Sequence, residues 1–175
     1  LYPQTDLHKW LYKEGECEYD LIVIGTQECA FQVEKDMNGH ELMPSAEISW
    51  IAQLSQFIGN QYQRVAYISL LEIRLAVFVH IKNKHKIRHI QTDTKATGIG
   101  QVIGNKGGIC VSLYYNHTSL CFINCHLAAH QGMIKRRNND IEHIIHGLQI
   151  NNSTNDFTLQ KNNIIQQHDG IFLFG

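Results

Sequence analysis

The stretch Thr97-Gly98-Ile99-Gly100-Gln101-Val102-Ile103-Gly104-Asn105-Lys106-Gly107-Gly108, running into Ile109-Cys110-Val111-Ser112-Leu113, decides which folds remain open. A glycine-rich loop with one lysine invites a phosphate-binding reading, because successive backbone N–H groups can cradle an anion. The two best-known nucleotide loops fail on spacing. Gly100 to Lys106 lacks the four-residue gap and the Lys-Ser/Thr ending of a P-loop. Gly98-Ile99-Gly100 is followed by glycine at Gly104, one residue late for a dinucleotide fingerprint. Both motifs also lead into a helix, whereas residues 109–113 read as a strand. Spacing alone leaves two readings: a structural turn with a solvated lysine, or a phosphate cradle of some other fold.

Working outward, residues 109–115 and 119–124 pair as a hairpin around Asn116-His117. Upstream, residues 74–81 alternate, with Leu75, Val77, Val79 and Ile81 on one face, and residues 62–70 alternate loosely. The polar turn Lys82-Asn83-Lys84-His85 leads to a returning strand over residues 86–91, which makes a basic hairpin. Residues 19–24 form a short strand, apolar on both faces as in a central position, and it stops at Gly25. Trp50, Ile51, Leu54, Phe57 and Ile58 predict a helix over residues 48–58, ended by Gly59-Asn60. A second helix is expected over residues 133–148, with Ile134, Ile141, Ile145 and Leu148 on one side. Residues 151–167 read as a polar surface loop, and residues 170–174 as a last apolar strand. Strands outnumber helices and neighbouring strands look antiparallel, so a layered α/β sandwich is expected.

Composition narrows the partners. The 175 residues are 43% hydrophobic, enough for a core, with 15 Lys+Arg against 16 Asp+Glu. The resulting charge of −1 excludes a polybasic nucleic-acid binder. No apolar run approaches the ~18–20 residues of a membrane span. Five cysteines without regular spacing make a poor disulfide framework, so a cytoplasmic setting is expected.

Four groups of residues could carry chemistry. In Asn124-Cys125-His126-Leu127 an apolar strand delivers Asn124 and His126 at its end, on one face by the two-residue period. A satisfied strand-end histidine is the plain alternative. A zinc site from Cys121, Cys125, His126 and His130 is disfavoured, since Cys125 and His126 point to opposite faces and no Cys-x-x-Cys exists. Glu28 follows directly on a buried strand, where a carboxylate is either solvated or a ligand for a hard cation such as Mg²⁺. Lys135-Arg136-Arg137-Asn138 starts the second helix, as a contact for an anion or simply as its wet face. Lys82, Lys84, Lys86 and Arg88 form a solvated charged segment or a contact for an anionic membrane.

Taken together, these segments resemble the catalytic domain of inositol polyphosphate 5-phosphatases. The matching elements run in order: Tyr19-Asp20-Leu21-Ile22-Val23-Ile24-Gly25-Thr26-Gln27-Glu28, then the Gly98 to Gly108 loop, then Asn124-Cys125-His126-Leu127. Arg136-Arg137-Asn138 and Phe172-Leu173-Phe174-Gly175 follow. The resemblance implies a DNase I-like four-layer sandwich of two mostly antiparallel sheets flanked by helices. It implies Mg²⁺-dependent hydrolysis of the 5-phosphate of phosphoinositides or soluble inositol polyphosphates, a signalling activity exercised at the membrane periphery. By the same resemblance Glu28 is the metal ligand, His126 and Asn124 are catalytic, and Asn105, Lys106, Arg136, Arg137 and Asn138 contact substrate.

The family's Gly-Asp-x-Asn-Tyr-Arg run begins at Gly175, and the rest of it, with a final Ser-Asp-His, would follow. Residues 1–175 are therefore expected to be a truncated part of one catalytic domain that continues further and does not hydrolyse substrate by itself. Two rivals stand beside this reading: a nuclease or abasic-site endonuclease of the same fold, and a non-catalytic truncated binding module.

Overall fold

A computed structural model describes residues 7, 11, 19–98, 105–150 and 163–175. Nine strands and two α-helices occur among these residues. Strand β1 (Leu21–Thr26) leads to a small hairpin, β2 (Glu34–Lys35) and β3 (Glu41–Leu42), and then to helix α1 (Ser45–Ile58). Strands β4 (Tyr62–Leu70), β5 (Ile73–His80), β6 (Ile87–Ala96), β7 (Gly107–Tyr115) and β8 (Thr118–His126) follow. Helix α2 (Ile134–Gly147) and strand β9 (Gly170–Phe174) complete the order.

Two larger sheets result, ordered β1-β5-β4 and β6-β7-β8-β9. All pairs in them are antiparallel except β8 with β9, which run parallel. Three apolar clusters make four layers. Trp50, Ile51, Leu54 and Ile58 of α1 pack on Ile22, Ile24, Ala76 and Phe78 of the first sheet. The opposite face of that sheet, Ile73, Leu75 and Val77, meets Ile109, Val111, Leu113 and Phe122 of the second. Cys110, Cys121, Ile123 and Cys125, on the far face of the second sheet, pack on Ile144 and Leu148. Period-2 alternation in β7 and β8 thus fills two layers at once.

The structure revises several expectations. The central strand of the first sheet is β5, buried at every position, whereas among the described residues β1 pairs only with β5. Strand β1 also continues through Gly25 to Thr26, because Gly25 gives room to a neighbour: a Cβ there would lie 2.4 Å from Phe174 and 2.7 Å from Asn124. The basic segment is no hairpin. Residues 81–86 form a 3₁₀ corner from which β6 joins the other sheet beside β7, and Ile81 is exposed there. Helix α2 turns Asp140 and Ile144 inward, followed by Leu148, and leaves Ile134 in solvent. Most of the Asn-rich loop expected over 151–167 lies outside the described residues. Its last part, Ile164–Gln167, is a 3₁₀ turn that buries Ile164. No helix among the described residues is long and apolar enough to cross a membrane.

Candidate active site

Register places the chemistry-bearing residues at one end of the sandwich. Thr26 pairs with Arg74 near the start of β5, and Gly107 pairs with His126 at the end of β8. The β4–β5 turn and the loops holding Glu28 and Asn105 therefore share that end. The basic corner at residues 81–86 lies at the other end, beside the Asn116 turn, where Asn116 N–H donates to the Lys86 carbonyl (2.8 Å).

His126 is the centre of the group. Its Nδ1 lies 2.9 Å from the Asn105 carbonyl, and its Nε2 lies 2.6 Å from Lys106 Nζ. The ammonium is an obligate donor and the carbonyl an obligate acceptor. In the neutral ring, then, Nδ1 carries the hydrogen and Nε2 the lone pair. Glu28 Oε1 stands 3.7 Å from the same Nε2, with its side chain 66% exposed. Burial, with the Lys106 charge second, holds the His126 pKa below its ordinary value. Glu28 takes a left-handed backbone, φ 58°, which an L side chain adopts at a cost and which favours a functional reading of the position.

Asn124 joins the two sheets beside the site. It is fully buried, its Nδ2 donates to the carbonyls of Thr26 (3.1 Å) and Arg74 (2.8 Å), and its Oδ1 accepts from Gln27 Nε2 (2.5 Å). It shares the His126 face, but its amide bolts the second sheet to the first just before Glu28. These bonds hold the start of the Glu28 loop against the end of β8.

The two arginines are likewise committed to the protein. Arg136 donates from Nε to Asp140 (3.0 Å) and from Nη2 to the Thr97 carbonyl (2.8 Å), joining α2 to the start of the glycine-rich loop. Arg137 Nη1 donates to the carbonyls of His130 (2.6 Å) and Ala128 (3.2 Å). Without substrate, these guanidiniums shape the loop that follows His126. Asn138 is exposed and does not touch the His126 group. Sequence reading missed Asp140, which is buried and, besides Arg136, accepts the Ala128 N–H (3.2 Å). It missed Glu72 as well, whose carboxylate accepts from Asn105 Nδ2 (2.7 Å). A hydrophilic residue in a turn gives no signal of this kind.

The zinc alternative fails on layering. Cys121 and Cys125 face α2, whereas His126 faces the other sheet. No group of three His, Cys, Asp or Glu among the described residues could close around a metal. The exposed Glu28 carboxylate suits a different donor role: one oxygen ligand for a hard cation that keeps waters and binds substrate phosphate.

Residues 2–175 match the endonuclease/exonuclease/phosphatase family 2. The chain belongs to this family. Among its relatives, phosphatidylinositol 3,4,5-trisphosphate 5-phosphatase 2B of Danio rerio is 33% identical over 153 residues, covering 83% of this chain and 11% of the relative. The human phosphatidylinositol 3,4,5-trisphosphate 5-phosphatase 1 is 32% identical over 187 residues, covering 99% of this chain and 14% of the relative. The crystal structure of the inositol polyphosphate 5-phosphatase domain of SPsynaptojanin, in complex with inositol (1,4)-bisphosphate and calcium ion, superposes with a TM-score of 0.72. That match is 24% identical and covers 95% of this chain and 46% of that one. The chain thus spans less than half of the solved domain and a small part of the curated relatives. The DNase I-like sandwich is established by this superposition.

Proposed function

We propose that this family member serves phosphoinositide dephosphorylation, as part of a Mg²⁺-dependent phosphatase that removes the 5-phosphate of phosphoinositides or soluble inositol polyphosphates. One observation carries the proposal: the Glu28 carboxylate and the Lys106 ammonium converge on His126 Nε2, at 3.7 and 2.6 Å. A carboxylate, a cation and an imidazole at one strand end are the groups that phosphate-ester hydrolysis uses. The relatives named as 5-phosphatases give the substrate class.

Glu28 would hold the metal, which supplies Lewis-acid charge neutralisation when bound. Lys106 neutralises phosphate as a point charge. A phosphate dianion entering between Lys106 and His126 draws the ammonium off Nε2 and raises the proton affinity of the ring. His126 then takes a proton from solvent at Nε2 and donates an Nε2–H hydrogen bond toward a phosphoryl oxygen. Asn105 keeps Nδ1 protonated throughout, so that the ring presents Nε2 alone. A lipid substrate requires peripheral contact with an anionic, cytoplasmic membrane face through this end of the sandwich. The basic corner at residues 81–86 lies too far round to take part.

The test uses the protein at its full length. Phosphate release from phosphatidylinositol 4,5-bisphosphate should require Mg²⁺ and fall by on the order of 10²–10³-fold in Glu28→Gln, as for other preorganised electrostatic groups. Undiminished release from that variant would remove Glu28 from the site. Cleavage of abasic DNA in place of lipid would favour the nuclease alternative.

A further inference from the structure

Glu72 occupies the two-residue turn between β4 and β5, where Leu71 takes a left-handed φ of 54°. The turn brings one residue against both loops of the site. The Glu72 carbonyl accepts the N–H of Cys29, next in sequence to Glu28, at 3.1 Å. Its carboxylate accepts Asn105 Nδ2 at 2.7 Å, and the Asn105 carbonyl in turn meets His126 Nδ1 at 2.9 Å. We propose that Glu72 is a positioning residue of this phosphatase site, fixing Asn105 so that its carbonyl holds the His126 ring by Nδ1–H and aims Nε2 at the reacting phosphate.

The physical case rests on where Asn105 sits. Strand β7 begins at Gly107, so Asn105 lies ahead of the ladder and gains no strand partner to fix it. A charge-assisted hydrogen bond from Asn105 Nδ2 to the half-buried Glu72 carboxylate supplies that constraint. Outer-shell bonds of this kind set the tautomer and orientation of a histidine. Glu72 also has a cost, since it places negative charge near a phosphate site. Its side chain is worth that cost only if the bond to Asn105 matters.

The proposal rests on the phosphatase reading, and the experiment separates the two. In the full-length protein, Glu72→Ala should lower kcat by about tenfold or more with little change in KM, as outer-shell removal does. Glu72→Gln keeps an acceptor for Asn105 and should retain most of the turnover. The long-range ¹H–¹⁵N spectrum of the His126 ring gives a readout that a merely structural role would not move. Wild type and Glu72→Gln should show the same downfield Nδ1–H resonance, and Glu72→Ala an upfield shift of it as the bond to the Asn105 carbonyl loosens, Lys106 still holding the lone pair on Nε2. Should Glu72→Ala fail to fold, Glu72→Asp, one methylene too short, should show the same two losses. Wild-type kcat and ring spectrum in the shortened variant, or an equal loss in Glu72→Gln, would overturn the role. If Glu28→Gln and His126→Ala also keep wild-type turnover, the phosphatase reading fails instead, while the ring spectrum still judges Glu72.

Discussion

At the scale of single residues, His126 and Lys106 are close neighbours with separable tasks. A group that strengthens its contact as charge develops acts on kcat, whereas one that holds phosphate equally before and during reaction acts on KM. His126→Ala should therefore lower kcat with KM nearly unchanged, and Lys106→Ala should raise KM. Steady-state kinetics on a phosphoinositide decide it, and exchanged patterns would reverse the assignment. His126 also predicts a pH effect on stability. Its folded pKa lies below the ordinary imidazole value, because burial and the Lys106 charge oppose the imidazolium. The unfolded chain thus binds more protons once the pH drops below that ordinary value, and His126 lowers stability progressively as the pH falls further. Urea melts at pH 7.5 and 5.5 should differ less in His126→Ala than in wild type. An unchanged difference would show that His126 contributes nothing to the acid response.

At the scale of elements, α1 is fixed to β5 by more than apolar contact. Glu47 and Arg74 are both buried, with Arg74 Nη2 donating to Glu47 Oε2 at 3.2 Å. Arg74 Nε lies 2.7 Å from Oε1 but is not aimed along that line, so this second approach is an ion-pair contact without a hydrogen bond. Tyr67 O–H donates to the same carboxylate, and burial pushes its phenol pKa up. Phe31 lies under the guanidinium at 5.2 Å. Removing one partner of such a pair leaves an uncompensated buried charge. Glu47→Ala should cost about 3–5 kcal/mol in denaturant unfolding. Because the Arg74 carbonyl holds Asn124, the loss should reach the Glu28 loop as well. Gly25 is the second element-scale test. Gly25→Ala sets a methyl against Asn124 and Phe174 and should cost about 1–3 kcal/mol by overpacking. A denaturation midpoint equal to wild type would show that the two sheets can part at that point.

For the whole molecule, the two sheets leave an open apolar cleft between them. About 410 Å³ is lined by Leu21, Val23, Leu120, Phe122, Phe172 and Phe174. Phe122 and Phe172 stack at 5.3 Å, yet Phe172 is 53% exposed. Contiguous exposed apolar surface of this kind promotes association. The 175-residue chain expressed by itself should bind an apolar dye such as ANS and sediment faster as concentration rises. Phe172→Lys should reduce both effects. A chain that stays monomeric and dye-free at high concentration would show that this face is covered.

Local pattern made much of this legible. The 3.6-residue period of Trp50, Leu54 and Ile58 located α1, and period-2 alternation with a two-residue turn located the β7–β8 hairpin. The Gly-Asn-Lys-Gly loop and the Asn-x-His-Leu strand end together carried the family resemblance. These signals are local, because backbone geometry forces neighbouring side chains into fixed spatial repeats. Which sheet each strand joins is not local. The corner at residues 81–86 reads as a hairpin turn in sequence, and only the pairing of β6 with β7 puts it in the other sheet. The partners of Arg136, Arg137 and Asn124 were equally invisible, since a polar side chain is read as solvated until folding brings a carbonyl or carboxylate to it. The sequence by itself determined the elements and the residue types at the site. The tertiary structure alone decided that Glu28 and Lys106 would meet at His126 and that Glu72 would hold Asn105, because those contacts join segments that only the stacking of two sheets brings within hydrogen-bond reach.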